Sequence, residues 1–187
     1  MTELVLNTSQ AYDAVIAAAR HIFLQKAQDY GTSWRVLRPI SVVDQIYIKA
    51  CRIRQLQQGG VQMVADGLPD EWRGIINYCV IGLIQLQLNS DDVEELAPDL
   101  CQAMYNDVVG RTKALMQLKN NDYGEAWRQM SHESFADLIL MKLYRMKQII
   151  RNQGKTLVSE GLDANYMDIL NYAVFAMILN YPSEANA

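Results

Sequence analysis

The sequence lacks the features that usually identify secreted, zinc-binding and membrane-spanning proteins. Its three cysteines, Cys51, Cys79 and Cys101, are odd in number and widely spaced, and neither His21 nor His132 has a partner at metal-ligand spacing. These spacings argue against a disulfide framework and a zinc site, and they favour reduced, mostly buried thiols. No uninterrupted apolar run reaches the ~18 residues that a membrane span needs.

Concentrated charge of one sign is also missing. Residues 1–5 lack the basic start and the apolar stretch of a signal peptide. The chain has 17 basic and 21 acidic residues, a net charge of −4, and no basic stripe suited to a phosphate backbone. This composition argues against nucleic acid as the partner. We therefore expect a soluble, cytoplasmic protein without a membrane partner.

What the sequence does contain is an internal duplication. Residues 29–34, DYGTSW, return as residues 122–127, DYGEAW, at an offset of 93 (122 − 29). Further identities follow at this offset, and at 94 after one inserted residue: Tyr12 with Tyr105, Lys26 with Lys119, Lys49 with Lys142, Gly67 with Gly161, and Asn77-Tyr78 with Asn171-Tyr172. Such self-similarity predicts two structural repeats. We name them copy one, residues 1–95, and copy two, residues 96–187.

Apolar residues recur at helical spacing in both copies, and no alternating strand pattern competes with them. Thr8 or Ser9 is predicted to cap the first helix, a capping box at residues 41–44 to open the second, and Pro98 to break an acidic junction that has room for a short helix. The helices are predicted near residues 10–29, 41–58, 70–88, 100–121, 134–152 and 163–180. The predicted fold is all-α: a tandem duplication of a three-helix unit, packed as a pseudo-two-fold bundle in one compact domain.

Charged residues recur on the second helix of each copy. They are Asp44, Lys49 and Arg52 in copy one, and Asp137, Lys142 and Arg145 in copy two. At ~100° per residue the three positions span about 140°, so they can face one cleft. A structural interpretation stays open, in which the two aspartates only begin their helices, where the helix dipole favours acids.

The third helix of copy two carries a second polar group. Asp168, Asn171 and Tyr172 lie at positions i, i+3 and i+4 and share a face, and Glu160 stands just before this helix. A carboxylate among apolar residues is costly to bury unless a charged or hydrogen-bonding group meets it. Asp168 could pair with Lys142 or Arg145 simply to join two helices, and Asn171 could satisfy a backbone carbonyl.

The order Lys, Asp-Tyr-Gly-x-x-Trp, Asp-x-x-x-x-Lys-x-x-Arg, Glu, Asp-x-x-Asn-Tyr-Ala resembles the nucleotide modification associated domain 1 family, over nearly the whole chain and once per copy. That family is similar in turn to the all-α MazG-like nucleoside triphosphate pyrophosphohydrolases, in which helix-borne carboxylates hold Mg²⁺ against the substrate's phosphates. Their signature is E-x-x-E followed by E-x-x-D, and here Asn165 stands three residues before Asp168. Copy one has Gly74 in place of Asp168, so the resemblance implies a metal site centred on copy two or shared between the copies.

The resemblance implies a nucleotide-binding protein that uses Mg²⁺ to release pyrophosphate from a (d)NTP. Its implied metal ligands are Asp137, Glu160 and Asp168, and its implied catalytic cations are Lys142 and Arg145. The implied substrate-binding residues are Lys119, Asp122, Tyr123, Trp127, Asn171 and Tyr172, with Lys49 and Arg52 of copy one. The alternative is a non-catalytic helical scaffold or binding module with a degenerate site. Both interpretations leave a homodimer open.

Overall fold

The chain folds into helices throughout the part that the structure describes. The structure is a computed structural model that describes residues 7–63, 65, 67–88, 95–156, 158 and 160–182, and within them it contains six α-helices, two 3₁₀ helices and no strand. The α-helices are α1 (Thr8–Tyr30), α2 (Pro39–Gln57), α3 (Leu68–Gln87), α4 (Pro98–Tyr123), α5 (His132–Arg151) and α6 (Leu162–Asn180). The 3₁₀ helices are Ser33–Val36 and Ala126–Gln129. The predicted all-α class and three-helix repeat are confirmed.

The starts of α1 and α2 differ from the prediction. Asn7 caps α1 in place of Thr8 or Ser9: its side chain accepts from the backbone N–H of Gln10 at 2.9 Å, and the Gln10 side chain accepts from the Asn7 N–H at 3.2 Å. The predicted capping box at residues 41–44 is wrong, because α2 begins at Pro39 without a side-chain cap. Proline has no N–H to satisfy at this position and its fixed φ suits the first helical residue.

Proline also begins α4, so Pro98 starts a helix where the sequence predicted a break. The short helix considered for the acidic junction falls largely on residues 89–94, which lie outside the described residues. Gly31 and Gly124 end the first helices of the two copies at φ values of +64° and +57°, a backbone conformation that glycine adopts without a Cβ clash.

The two copies share one hydrophobic core. Helix α2 packs against α5 and α3 against α6 across the molecule, while α2–α3 and α5–α6 pack within each copy. The core is continuous across both copies and includes the fully buried Tyr12, Trp72, Tyr105, Phe135 and Tyr166. Each three-helix unit therefore covers the apolar faces of the other, as expected for layered helices.

A reciprocal hydrogen-bond exchange marks the pseudo-two-fold relation. Tyr12 of copy one donates to the side-chain oxygen of Asn171 in copy two at 2.9 Å, and Tyr105 of copy two donates to that of Asn77 in copy one at 2.9 Å. Each asparagine then donates its amide to a carbonyl oxygen on the first helix of its own copy, at 2.9 and 3.4 Å. Burial raises the pKa of both phenols, so they remain neutral donors.

Ion pairs repeat the exchange on the surface. Lys147 on α5 contacts Asp44 on α2 at 2.7 Å, and Arg54 on α2 contacts Asp137 on α5 at 3.9 Å. The α1–α4 seam repeats it with an ion pair from Lys113 to Asp13 and, at the equivalent positions, a hydrogen bond that Arg20 donates to Asn106. Exposed pairs of this kind contribute only ~0–1 kcal/mol each, so they define the register of the two copies more than they stabilise it.

Two further observations bear on the sequence predictions. Among the helices that the structure describes, none is both long and apolar enough to cross a membrane. All three cysteines are free, with Cys79 and Cys101 buried.

Candidate functional site

In copy two, one buried carboxylate lies between two lysines. Asp168 on α6 contacts Lys119 at the end of α4 through one oxygen and Lys142 on α5 through the other, each at 2.6 Å. The side chains of Asp168 and Lys142 are 11% and 8% exposed, whereas that of Lys119 is 44% exposed. The buried aspartate therefore has the charged partners that the sequence analysis required, and Lys142 is one of the two partners foreseen.

Other predicted site residues surround this group. Burial by itself lowers the pKa of Lys119, but the hydrogen bond to Asp168 and the charges of Asp168 and Glu160 outweigh it, so that pKa lies above its ordinary value. Burial, followed by the charge of Asp168, raises the pKa of Tyr172, while the charges of Lys119 and Arg145 act in the opposite direction. The structure thus brings Lys119, Lys142, Arg145, Asp168 and Tyr172 into electrostatic contact.

The three predicted metal ligands do not converge. Asp137 is 62% exposed and forms the intercopy pair with Arg54, and both oxygens of Asp168 already contact lysines. Glu160 is exposed before α6. No group of three or more His, Cys, Asp or Glu residues within the described part of the chain could hold a metal ion. The described side chains therefore do not fit a three-carboxylate Mg²⁺ centre, and the predicted ion stays a prediction.

The remaining predicted binding residues of copy two either make internal contacts or lie exposed at the end of α4. Trp127 is buried, its ring stacks on Phe175 at 4.2 Å between centroids, and the Arg128 guanidinium lies 4.5 Å from it. Asn171 is used in the internal exchange with Tyr12. Asp122 and Tyr123 are exposed at the end of α4.

In copy one the counter-charge for the cations of the second helix comes from Glu71, a residue that was not predicted from the sequence. Glu71 on α3, whose side chain is 8% exposed, contacts Lys49 at 3.1 Å and also pairs with Arg52. Glu71 aligns with Asn165, so copy one reads Glu-x-x-Gly where copy two reads Asn-x-x-Asp. Each copy keeps one buried acid on its third helix, and the two positions are one turn apart. Glu71 could have been identified from the sequence, because the aligned position in copy two, Asn165, carries no acid.

Gly74 leaves room for the lysine. A Cβ atom at this position would lie 2.7 Å from Cε and 3.0 Å from Nζ of Lys49, so the Lys49 side chain crosses the space in which copy two places the Asp168 side chain. The missing acid of copy one therefore changes the shape of the site as well as its charge.

A cavity of about 560 Å³ opens beside Gly74 in copy one. Its walls come from α1, the 3₁₀ helix Ser33–Val36, α2 and α3. The polar, charged and aromatic members of its lining are Phe23, Lys26, Tyr30, Ser33, Trp34, Gln45, Lys49, Asp70, Glu71, Arg73, Asn77 and Tyr78. Ligand sites in proteins usually measure ~300–1,000 Å³, and this cavity falls within that range with a lining that mixes polar and apolar side chains.

The cavity offers aromatic surface beside positive charge. Tyr30 is 56% exposed at its mouth, and Tyr78 is half-buried, where burial and then the charge of Tyr30 raise its pKa. Lys26 makes no ion pair or hydrogen bond with any residue that the structure describes, whereas Lys49 forms an ion pair with Glu71. An aromatic or heterocyclic ring beside an anionic group fits such a lining.

Two positions of copy two that correspond to the cavity lining carry larger side chains. Ile81 of the cavity aligns with Phe175, which covers Trp127, and Gly74 aligns with Asp168, which lies between two lysines. Copy two therefore retains the polar motif but carries a bulkier side chain at both of these positions. The sequence places the expected site in copy two, whereas the cavity described above lies in copy one.

Comparison with known families adds one finding. A family model described as nucleotide modification associated domain 1 matches the chain twice, at residues 26–86 and 119–179. The two matches coincide with the duplication read from the sequence. The comparisons with curated proteins and with solved structures found no match.

Proposed function

The chain belongs to the nucleotide modification associated domain 1 family, and from this premise we propose that it binds a nucleotide in the cavity of copy one. The observation that carries the proposal is the lining of that cavity, which places Tyr30 and Tyr78 beside Lys26 and Lys49 in about 560 Å³. The family description by itself names no ligand and no residue.

The aromatic residues support recognition of a base. Tyr30 is exposed at the mouth and Tyr78 is half-buried next to it, so a planar ring can enter against either phenol. Stacking of a base on an aromatic side chain is worth ~1–3 kcal/mol by alanine substitution and tolerates every base. The tyrosines therefore support binding of a nucleotide with any of the bases.

The cations support recognition of phosphate. The cavity lining carries Lys26, Lys49 and Arg73 against Asp70 and Glu71, a net charge of +1 from five residues. Lysine binds phosphate as a point charge, and an ammonium without an internal partner gains most from a ligand anion.

Hydrolysis is not part of the proposal. No described group of side chains favours a metal centre, so the pyrophosphohydrolase activity implied by the resemblance stays a prediction, as does the scaffold alternative. Following pyrophosphate release with Mg²⁺ present would test the first. A chain that binds no nucleotide would favour the second.

Thermal unfolding against a ligand panel tests the proposal. At a ligand concentration of ~100 Kd, binding to the folded state adds about 2.7 kcal/mol, which corresponds to a rise in Tm of roughly 5–10 °C for a chain of this size. We expect this rise with nucleoside triphosphates and a smaller one with nucleosides. No rise with any nucleotide would contradict the proposal.

Equivalent tyrosines supply a matched control. Tyr30 and Tyr123 occupy the same position in the two copies and are 56% and 73% exposed, but only Tyr30 lines the cavity of copy one. Tyr30→Ala should weaken binding by roughly fivefold to a hundredfold, from the ~1–3 kcal/mol of stacking. Tyr123→Ala should leave affinity unchanged. The reverse pattern would place the site in copy two.

A further inference from the structure

The two copies hold the same pair of lysines, but only copy two supplies a carboxylate between them. Lys119 and Lys142 each contact Asp168 at 2.6 Å. Their equivalents, Lys26 and Lys49, line the cavity of copy one, where the position of the aspartate is taken by Gly74. Copy two thus displays an anion held by both lysines, and copy one keeps the lysines without that anion.

We propose that the ligand of copy one supplies this anion, and that a phosphoryl group binds between Lys26 and Lys49 as the Asp168 carboxylate binds between Lys119 and Lys142. The inference rests on the proposed nucleotide binding and names the subsite that holds its phosphate. Copy two is then a closed counterpart, whose own side chain occupies the position of the ligand's charge.

The position of Lys49 supports this assignment. Its Cδ, Cε and Nζ atoms lie 2.7–3.0 Å from the place of a Cβ on Gly74, so the ammonium already lies over the backbone that the glycine exposes. Glu71 holds it there at 3.1 Å while pairing with Arg52 as well. Because Glu71 lies one turn before Gly74 on α3, it holds the Lys49 ammonium over Gly74, at the wall of the cavity that a ligand would enter.

The charges of the subsite favour a phosphoryl group over an uncharged one. Within the cavity lining, the cations Lys26, Lys49 and Arg73 stand against the acids Asp70 and Glu71, which leaves an excess of one positive charge. In copy two each carboxylate oxygen of Asp168 contacts one lysine, so this single acid pairs with both cations. An oxyanion with several acceptor oxygens is the chemical equivalent of that carboxylate and can contact both lysines at once.

The test compares Gly74→Asp with Gly74→Asn in calorimetric titrations with a nucleoside triphosphate and with the matching nucleoside. Both variants displace the flexible end of Lys49 by similar volumes, but only the first introduces the anion. EDTA is included so that a carboxylate next to Glu71 cannot act through a metal ion. We expect Gly74→Asp to bind the triphosphate at least tenfold more weakly than Gly74→Asn does. Nucleoside affinity should differ by less than about threefold between the two variants.

Lys26→Met is the second variant, because Lys26 is exposed and its loss should not affect folding. This variant should lower the affinity for the triphosphate at least fivefold and leave the affinity for the nucleoside unchanged. If the wild type binds nucleotide but Gly74→Asp and Gly74→Asn bind the triphosphate equally, or Lys26→Met has no effect, the phosphate subsite is wrong and the proposed function stands. If the wild type binds no nucleotide, the proposed function itself fails.

Discussion

Removing the negative charge of Asp168 should be the most damaging single change to the polar residues of copy two. Asp168→Asn keeps the shape of the side chain but leaves the ammonium of Lys142, 8% exposed, without a counter-charge. Breaking a buried pair in this way costs roughly 3–5 kcal/mol. Lys119 adds little to this figure, because it is 44% exposed and water can replace its partner.

Copy one provides the matched comparison. Glu71→Gln removes the equivalent charge, but Lys49 and Arg52 are 25% and 21% exposed and can turn towards solvent. We expect a loss of roughly 1–2 kcal/mol there. At ~2–4 °C per kcal/mol for a chain of this size, Asp168→Asn should lower Tm by roughly 6–20 °C, and Glu71→Gln by less than about 8 °C.

Equilibrium urea unfolding measures both changes. The double variant Lys142→Met/Asp168→Leu replaces the buried pair by apolar side chains, and it should recover most of the stability lost in Asp168→Asn. A loss below about 1 kcal/mol in Asp168→Asn, or no recovery in the double variant, would refute the assignment of Asp168 as the internal counter-ion of Lys142.

Three further predictions concern the folded chain. A hydrogen bond from Thr8 helps to hold the pKa of Glu125 below its ordinary value near 4.5, so the stability this carboxylate contributes is present above that value and lost as pH falls through the lower folded-state pKa; Glu125→Gln should therefore flatten the acid side of urea unfolding measured as a function of pH, and an unaltered profile would contradict this. Arg145→Met should change the free energy of unfolding by no more than about 0.5 kcal/mol, because Arg145 is exposed and makes no ion pair within the described residues; a loss above about 1.5 kcal/mol would indicate a buried partner. Gly31→Ala should cost roughly 1–3 kcal/mol because φ is +64° and ψ −153°, whereas Gly110→Ala, in open space within α4, should stabilise by about 0.5–1 kcal/mol; equal effects would contradict the strained backbone.

The duplication made the fold predictable from one sequence. Apolar residues repeat in register through three helices per copy, and only a shared core covers both sets, so class and pseudo-symmetry follow from the pattern. Helix starts were less predictable because several chemistries can begin a helix. Residues Ser41 to Asp44 match the sequence pattern of a capping box, yet α2 already begins at Pro39, before this segment.

The site was harder to predict because charge retention and open space are separate properties. Copy two retains more of the family pattern, but whether Lys142 meets a ligand or an internal acid depends on distances between helices that sequence spacing does not give. The cavity is bordered by residues of α3 that are smaller than their equivalents on α6: Gly74 corresponds to Asp168, and Ile81 to Phe175. Which other helices face these positions is known only from the folded structure. Asp66, which aligns with Glu160, lies outside the described residues.

Tryptophan fluorescence can locate the nucleotide, because equivalent indoles mark the two copies. Trp34 lines the cavity of copy one, Trp127 is covered by Phe175 in copy two, and the third, Trp72, is fully buried. Titrating one nucleoside triphosphate into Trp34→Phe and Trp127→Phe measures which indole responds. We expect Trp127→Phe to keep the fluorescence change and Trp34→Phe to lose it. A change that survives in Trp34→Phe and disappears in Trp127→Phe would show that copy one does not hold the site.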